Sequence, residues 1–391
     1  MIKYLFSLGL ILLFESNMLS AQEIQTGAFQ YEQYEALLSH KKVALLVNQT
    51  STVGKEHLVD MLIKKGVQIV KIFAPEHGFR GQADAGEKVN NTRDAKTGIE
   101  ITSMYGASKK PSKESMQGID IVVFDIQDVG VRFYTYISSL QYMMEACAEA
   151  DIPIIVLDRP NPNGFYVDGP VLDKKYKSFV GMQPIPVVHG MTVGEYAKML
   201  LGEKWLNTQK NCTLHVVPCK NYTHSSVYEL PIAPSPNLKN MNAIYLYPSL
   251  CFFEGTEVSV GRGTDHPFEI WGHPNYKKLT YQFTPQSTPG AKHPLLENKK
   301  CFGENLIRKA SLTKTQLQGK LNLQYLIQAY NQSIDKKKFF NSFFEKLAGT
   351  ERLRKQIESG LTETAIRTSW QADLATFKKI RKKYLLYKDF E

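Results

Sequence analysis

The stretch IDIVVFDIQDVGVRFYTYISSLQYMMEACAEADIPIIVL, residues 119–157, contains the pattern that decides the fold. Its apolar runs at Ile119–Phe124 and Ile154–Leu157 are short and rich in β-branched residues, which is typical of strands buried on both faces. Between them, Tyr136–Ala150 carries apolar residues at helical spacing. A strand, a helix and a second strand in this order predict a parallel βαβ unit.

The same alternation precedes this stretch. Val43–Val47 and Ile69–Phe73 are two further short apolar runs, and Leu58, Met61 and Leu62 lie on one face of a helix between them. Repeated strand–helix alternation predicts an α/β fold with a doubly wound, Rossmann-like parallel sheet.

The chain of 391 residues is long enough for two domains. We predict a Rossmann-like domain over 22–204, a connecting region rich in proline over 205–240, and a smaller C-terminal α/β domain over 241–391. The C-terminal domain is expected to end in one helix with an apolar stripe that packs in the core. The stripe consists of Ile366, Trp370, Leu374, Phe377 and Tyr384.

The first 21 residues have the pattern of a secretory signal peptide. Lys3 supplies positive charge, Tyr4–Phe14 is apolar, and the small residues Ser20 and Ala21 precede Gln22. No later apolar run reaches the roughly 20 residues that a spanning helix needs. We therefore expect an exported, periplasmic protein that does not insert into a membrane.

The composition argues against several classes of partner and cofactor. The net charge is +10, but no basic stripe interleaved with aromatic residues indicates nucleic-acid binding. No HExxH motif, P-loop or comparable spacing is present, so neither a metal site nor a cofactor is expected. The cysteines form no CxxC pair; Cys212 and Cys219 could bridge, but buried free thiols are favoured. The five cysteines are Cys147, Cys212, Cys219, Cys251 and Cys301.

Polar residues follow all four predicted strands. The segments are NQT (48–50), APEHG (74–78), DIQDVGVRFYTY (125–136) and DRPNPNG (158–164). Ligands of open parallel sheets bind beyond the carboxyl ends of the strands. Four polar strand ends at one edge of a sheet predict a functional site there.

Glu76 is the strongest catalytic candidate among these residues. An Ala-Pro step holds the chain extended before it and a glycine permits a sharp turn after it, so its support is rigid. A solvated turn glutamate is the alternative. His77 could orient a substrate or bond to a backbone carbonyl, and Arg80 could bind an anion or pair with Asp84.

The third and fourth strand ends supply further candidates. Asp125 and Asp128 are possible catalytic carboxylates, and because they are close in sequence they must be kept apart or neutralised, with Arg132 as the obvious partner for one. The other candidates bind substrate; for Asp158 and Arg159 the alternative is an ion pair that pins the turn. These binding candidates are Gln127, Arg132, Asp158, Arg159, Asn161 and Asn163.

Two later segments complete the candidate set. His189 opens HGMTVGE (189–195), where Thr192 and Glu195 have capping-box spacing, so Glu195 is expected to cap a helix rather than to catalyse. Glu254 begins the glycine-rich turn EGTEVSVGRGT (254–264), in which two glycines flank Arg262 and let the backbone approach a ligand. His189, Glu254 and Arg262 are candidates for substrate binding.

Long motifs in a fixed order resemble one known family, the NamZ-type exo-β-N-acetylmuramidases. The resemblance covers essentially the whole chain after residue 21. The motifs are APEHGFRGQADAGEKV (74–89), DIQDVGVRFYTYISSL (125–140), LDRPNPNGFYVDGP (157–170), PVVHGMTVGEYA (186–197), PSPNL (234–238), FEGTEVSVGRGTDHPFE (253–269), KLAGTERLRKQI (346–357) and RKKYLLY (381–387).

The resemblance implies a Rossmann-like domain, a smaller α/β domain and an active site in the cleft between them. It implies hydrolysis that releases N-acetylmuramic acid from the non-reducing end of peptidoglycan fragments, with Glu76 as the glutamate of the EHG motif. Glu257 stands where the family pattern after EGT has asparagine, so we assign that position no role.

Such a reaction needs an acid for the leaving oxygen and stabilisation of an oxocarbenium-like centre. Glu76 is expected to be the acid, and Asp125, Asp128 or the 2-acetamido group of the substrate supplies the second function. Muramic acid carries a lactyl carboxylate, which Arg262, Arg132 or Arg80 is expected to bind. A non-catalytic muropeptide-binding protein and a metal-dependent cell-wall amidase or deacetylase are the alternatives.

Overall fold

The structure is a computed structural model that describes residues 23–76, 78–79, 92–104, 109–307 and 319–391. Its N-terminal strands are β1 (Lys42–Val47), β2 (Thr52–Val53), β3 (Glu56–His57), β4 (Gln68–Ala74), β5 (Thr92–Arg93), β6 (Glu100–Ser103), β7 (Ile121–Asp125), β8 (Ile154–Leu157) and β9 (Leu214–Val217). Among the described residues, seven of these form one sheet in the order β5-β6-β4-β1-β7-β8-β9. Its neighbours are parallel except β5 and β6, so the expected α/β sheet is confirmed.

The four predicted strands are present as β1, β4, β7 and β8. The third begins two residues later than predicted, at Ile121, and extends to Asp125. Strands β5, β6 and β9 were not predicted as members of the sheet. They lie towards its edges and lack a continuous buried run: Thr92 and Arg93 are exposed, and His215 of β9 is exposed between partly buried neighbours. Such strands give no apolar signal in the sequence.

Both faces of the sheet are covered, because alternate residues of each strand point to opposite sides. Val43 and Leu45 of β1 belong to one buried cluster, whereas Ala44 and Leu46 belong to another. The helices of this part are α1 (Glu35–Leu38), α2 (Leu58–Lys64), α3 (Tyr136–Ala150) and α4 (Val193–Gly202). Residues of α1 and α2 pack in the first cluster, and residues of α3 and α4 pack in the second.

The boundaries of two helices follow from local chemistry. Helix α3 has the predicted bounds and ends at Ala150, because the next residue, Asp151, adopts the left-handed conformation with φ of 57°. Helix α4 begins with the predicted capping box. The Thr192 hydroxyl accepts from the Glu195 N–H, and the Glu195 carboxylate accepts from the Thr192 N–H at 2.9 Å. The expectation that Glu195 caps a helix is confirmed.

The C-terminal part combines a small sheet with short helices. Its antiparallel strands are β10 (Ile270–His273), β11 (Tyr281–Phe283) and β12 (Cys301–Asn305), in the order β10-β12-β11. Its helices are α5 (Met241–Leu250), α6 (Gln324–Gln332), α7 (Lys336–Phe339), α8 (Phe344–Ala348), α9 (Arg352–Glu358), α10 (Glu363–Thr368) and α11 (Gln371–Arg381). Short 3₁₀ turns lie at Gly27–Phe29, Tyr31–Gln33, Lys174–Tyr176, Cys251–Gly255 and Lys382–Tyr384.

The prediction of one continuous C-terminal helix is wrong. The chain breaks between α10 and α11, so Ile366 lies on one helix and Leu374 on the next, while Trp370 caps the second. The Ser369 hydroxyl donates to the Ile366 carbonyl at 2.6 Å, and such local bonds compete with a helical backbone. The stripe is nevertheless core: its members up to Phe377 are buried.

One buried cluster joins the two parts of the chain, since it contains Val122 of β7 together with Phe268, Trp370 and Leu374. The C-terminal tail also docks on the first part, where Arg381 donates to the Gly190 carbonyl. The predicted boundaries at 204 and 240 stay predictions. All five cysteines are free, and four of them are buried. No helix among the described residues is long and apolar enough to cross a membrane.

Candidate active site

A cleft of about 360 Å³ lies where the carboxyl end of β4 and the start of α3 meet the C-terminal part. A volume of this order falls in the range of small-ligand sites, roughly 300–1,000 Å³. Its walls are largely aromatic, with few charged groups. The lining residues are Glu76, Phe133, Tyr134, Thr135, Tyr136, Phe179, Val180, Ser235, Asn237, Leu238, Tyr247, Glu254, Arg262, Phe268 and Phe343.

Glu76 stands at the end of β4, as the sequence predicts. The strand stops at Ala74, and the Gly78 N–H donates to the Pro75 carbonyl at 3.0 Å, which closes a tight turn around the glutamate. Gly78 has φ of 75°, a conformation that costs glycine little. The Glu76 side chain is partly buried, and its Oε2 accepts a hydrogen bond from the Thr135 hydroxyl at 2.7 Å. The carboxylate is therefore held at the wall of the cleft.

The Thr135 side chain bonds to Glu76 and does not cap its own helix. It is the N-cap of α3, a position where threonine normally accepts from a backbone N–H of the first turn. Here its side chain makes no capping hydrogen bond and donates to Glu76 instead. A helix start that forgoes its cap to orient a carboxylate is a local cost typical of functional sites.

Aromatic rings around Glu76 are packed edge to face. The rings of Tyr134 and Tyr136 are 4.9 Å apart, and those of Phe133 and Tyr247 are 5.4 Å apart. Burial, together with the nearby charge of Glu76, raises the pKa of the Tyr136 phenol above its usual value. The tyrosines therefore stay neutral, and the cleft combines apolar ring faces with hydroxyl groups.

Glu254 and Arg262 form an ion pair on another wall. Arg262 Nε donates to Glu254 Oε1 at 2.6 Å, and the guanidinium carbon lies 5.2 Å from the centre of the Phe268 ring. Gly261 and Gly263 have φ of 77° and 79° and permit the sharp turns on both sides of the arginine. The structure thus brings Glu76, Glu254 and Arg262 into one cleft, which is three of the residues that the sequence marks as candidates.

Asp125 and Arg159 lie elsewhere, as a buried ion pair. Arg159 Nε donates to Asp125 Oδ1 at 2.6 Å and Arg159 Nη2 donates to Asp125 Oδ2 at 2.8 Å. Their side chains are 0% and 2% exposed, so neither faces the cleft. Both carboxylate oxygens of Asp125 accept hydrogen bonds from Arg159, so this pair stabilises the fold. The predicted catalytic role of Asp125 has no geometric support.

Asp158 serves the interior in a similar way. Its carboxylate accepts from the Thr192 hydroxyl at 2.7 Å, the Gly194 N–H at 2.8 Å and the Tyr387 hydroxyl. Burial raises the pKa of Asp158 to about 6, against the opposing effect of these hydrogen bonds. The alternative considered for this residue, an ion pair between Asp158 and Arg159, is not formed, since Arg159 pairs with Asp125 instead.

Other strand-end candidates also make interior contacts. The Asn161 amide donates to the Met191 carbonyl at 2.8 Å, the Asn163 amide to the Val129 carbonyl at 2.9 Å, and the Gln127 amide to the Pro160 carbonyl at 2.7 Å. His189 is buried, and burial lowers its pKa to about 3, so it is neutral. The three amides therefore connect the loop after β7, the loop after β8 and the segment that precedes α4.

Arg132 is buried without a carboxylate among its described partners. Its guanidinium donates to the backbone carbonyls of Pro170, Ile185 and Leu347, each at 2.8 Å, and so ties the C-terminal part to the first sheet. Burial lowers its pKa to about 9. The expectation that Arg132 neutralises a neighbouring aspartate or binds substrate is therefore not supported by its contacts.

Asp128 is a buried carboxylate near the tyrosines of the cleft. Its Oδ2 accepts from the Gly130 N–H at 2.6 Å, whereas its Oδ1 has no partner within the described part of the chain. Burial raises its pKa to about 7. His77 and Arg80 lie outside the described residues. Among those that are described, no group of three or more His, Cys, Asp or Glu could hold a metal ion.

Comparison with known families follows the division of the chain. The model described as "Exo-beta-N-acetylmuramidase NamZ, N-terminal" matches residues 43–242, and its C-terminal counterpart matches residues 245–387. The chain belongs to the NamZ family. The resemblance inferred from the motifs is confirmed.

Individual NamZ-family relatives are similar over nearly the whole chain. The "Peptidoglycan beta-N-acetylmuramidase NamZ" of Bacillus subtilis (strain 168) is 36% identical over 93% of this chain and 92% of its own. Two crystal structures of DUF1343 family proteins from Bacteroides fragilis NCTC 9343 have the same architecture. The first is 51% identical and has a TM-score of 0.86, and the match covers 94% of this chain and 99% of its own. The second is 30% identical and has a TM-score of 0.76, and the match covers 93% of this chain and 99% of its own.

Several residues of this NamZ-family cleft were not singled out from the sequence. Thr135, Tyr134 and Tyr136 lie in the motif that follows β7, and Ser235 and Asn237 lie in the PSPNL segment. The Asn237 amide donates to the Gly290 carbonyl at 2.8 Å, which fixes its orientation. The only signal for these residues was their membership in long motifs shared with the family, because hydroxyl and amide side chains beside aromatic residues are otherwise unremarkable in sequence.

Proposed function

We propose that this protein is an exo-acting glycoside hydrolase that releases N-acetylmuramic acid from the non-reducing end of peptidoglycan-derived glycans. The observation that carries the proposal is the Glu76 carboxylate, held by Thr135 at 2.7 Å in an aromatic-lined cleft. The similarity to the peptidoglycan β-N-acetylmuramidase of Bacillus subtilis supports the same substrate class and reaction.

Glu76 would act as the general acid. It transfers its proton to the glycosidic oxygen as the bond from that oxygen to the anomeric carbon breaks, so that the bonding electrons leave with the oxygen and positive charge develops on the sugar. Water then adds to the anomeric carbon as the free sugar forms, and the proton that this water releases restores the acid form of Glu76. The Thr135 hydroxyl bonds to one carboxylate oxygen of Glu76. This contact restricts the rotation of the carboxyl group, so the group is already oriented when the substrate binds.

The size and chemistry of the cleft support exo action on one terminal sugar. A volume of about 360 Å³ suits a single substituted sugar ring rather than an extended glycan. Aromatic faces such as those of Tyr134 and Tyr247 suit the C–H faces of a pyranose, and hydroxyl and amide groups suit its polar substituents. Because Asp125 has both oxygens occupied by Arg159, our proposal does not use it for the oxocarbenium-like centre.

We further propose that the protein acts after export, in the periplasm, once residues 1–21 have been removed. The support is the charged, apolar and small-residue pattern that precedes Gln22. Peptidoglycan fragments are the substrate in this compartment, and neither nucleic acid nor membrane insertion is part of the proposal.

The proposal is tested with a chromogenic β-glycoside of N-acetylmuramic acid. We expect release of the chromophore by the wild-type protein, free N-acetylmuramic acid as the product, and no inhibition by a metal chelator. Binding of muropeptides without turnover would favour a binding protein instead. Loss of activity with the chelator, restored by zinc, would favour a metal-dependent hydrolase.

A further inference from the structure

Arg262 is held in one orientation by two contacts on different sides. Its Nε donates to Glu254 Oε1 at 2.6 Å, and its guanidinium lies 5.2 Å above the Phe268 ring. A guanidinium has a rigid, planar set of donors, so an anchor at Nε and a ring beneath it fix the direction of the two Nη atoms. The side chain is 23% exposed, which leaves part of it facing the cleft.

The Nη atoms of Arg262 are available to a ligand. Within the described part of the chain, Glu254 is its sole hydrogen-bonding partner, and that contact uses Nε. The Nη atoms are not among the described buried polar atoms that lack a hydrogen-bond partner. They are therefore accessible to solvent. A fixed arginine with an open pair of Nη groups is suited to a planar anion such as a carboxylate.

No other described residue of the cleft wall carries positive charge. Arg132 is 1% exposed and donates to three backbone carbonyls, so a ligand in the cleft cannot reach it without unfolding its surroundings. The structure therefore favours Arg262 over Arg132; the third candidate from the sequence, Arg80, lies outside the described residues.

We infer that Arg262, positioned by Glu254 and Phe268, binds the lactyl carboxylate and sets the preference for muramic acid over other N-acetylhexosamines. The inference rests on the proposed function, because it names the residue that selects its substrate. Glu254 is a positioning residue in this scheme: it turns the guanidinium so that the Nη edge meets the carboxylate. Phe268 supports the guanidinium plane from below.

The experiment compares two chromogenic glycosides of nearly the same shape that differ in one group, so that one carries a charged, two-oxygen acceptor and the other does not. One is the β-glycoside of N-acetylmuramic acid and the other is the same compound with the lactyl carboxylate converted to its amide. Arg262→Lys keeps the charge but loses the planar, bidentate set of donors. We expect the ratio of kcat/KM for acid over amide to fall about 10- to 100-fold, because the loss is larger for the acid than for the amide.

Arg354→Lys is the matched control. Arg354 also donates through Nε to a glutamate, Glu358, at 2.8 Å, and also lies over an aromatic ring, that of Phe340 at 5.6 Å. It is not among the lining residues of the cleft. The acid-to-amide ratio should be unchanged in this variant, although the chemical replacement is the same.

Glu254 is tested by a pair of substitutions. Glu254→Ala removes the anchor of Arg262 and should lower the acid-to-amide ratio several-fold, mainly through KM for the acid. Glu254→Gln keeps an acceptor for Nε and should retain most of the ratio. If Glu254 had only a structural role, Glu254→Ala would lower kcat/KM for both substrates to the same extent, and Glu254→Gln would not restore it. This pair also keeps the inference testable if Arg262→Lys fails to fold.

An unchanged acid-to-amide ratio in folded Arg262→Lys contradicts the inference, and so does an equal loss on both substrates. Failure of the proposed function gives a different result, in which the wild-type protein cleaves neither glycoside. Wild-type cleavage of both with equal kcat/KM would leave the hydrolase proposal standing and remove only the assignment of Arg262.

Discussion

Replacing Asp125 with asparagine should damage the fold and spare the chemistry. Asp125 and Arg159 are 0% and 2% exposed and share two hydrogen bonds of 2.6 and 2.8 Å. The substitution removes the negative charge and leaves the guanidinium buried without compensation. Breaking a buried pair from one side costs about 3–5 kcal/mol. Asparagine retains one acceptor and the Thr52 carbonyl still accepts from Arg159 at 3.2 Å, so we expect a loss of about 3 kcal/mol in the free energy of unfolding.

The measurement is urea unfolding followed by circular dichroism, with kcat determined on the same samples under native conditions. We expect a lower unfolding midpoint and a kcat within about threefold of the wild-type value. The double variant Asp125→Leu/Arg159→Met removes both charges and should recover much of the lost stability, because no buried charge is left alone. A variant Asp125→Asn that unfolds like the wild type but turns over about 100-fold more slowly would refute this reasoning and return Asp125 to the catalytic set.

Three further predictions concern the site and its surroundings. Burial raises the pKa of Asp128 to about 7, so between about pH 4 and 7 its native state holds a proton that the unfolded chain has released, and this group should lower stability as the pH rises through that range. Asp128→Asn should remove this contribution, leave the smaller one of Asp158, whose pKa of about 6 acts in the same direction, and gain a few kcal/mol relative to wild type at pH 8 in unfolding titrations. Thr135→Val removes the hydrogen bond to Glu76 and should lower kcat about 5- to 15-fold with little change in the melting temperature. A clear drop in the melting temperature that accompanies the loss of kcat would indicate a structural role for Thr135 instead. Protein recovered from the periplasm should begin at or near Gln22, and an intact N-terminus on the exported protein would contradict the predicted cleavage.

The central part of the fold could be predicted from the sequence because burial on both faces leaves an apolar run. This applies to β1, β7 and β8, and the helix that follows β7 was predicted with its observed bounds. Strands β5 and β6, which lie at one end of the strand order, could not be predicted, since they pair through backbone groups while most of their side chains stay exposed or only partly buried. The break between α10 and α11 was also missed. The spacing of apolar residues stays helical across it, although the helix itself is interrupted for two residues.

The site was predicted less completely. Glu76 could be singled out because it follows a proline at a strand end, Arg262 because it lies between two glycines, and Glu254 because it begins the same glycine-rich turn. The polar residues after β7 and β8 misled the prediction, because an aspartate at a strand end can face either a ligand or a distant arginine. Asp125 meets Arg159, 34 positions later in the chain, and only the packing of two loops brings them together.

The central claim is that Glu76 is the general acid, and Glu76→Gln tests it most directly. Glutamine keeps the shape and an acceptor for Thr135 but has no proton to give, so binding of N-acetylmuramic acid and the melting temperature should be retained. Turnover of a natural disaccharide should fall about 10²- to 10⁴-fold. Turnover of a glycoside with an acidic phenol as leaving group should fall much less, because that oxygen needs little protonation. An equal loss on both substrates, or no loss on either, would contradict the assignment.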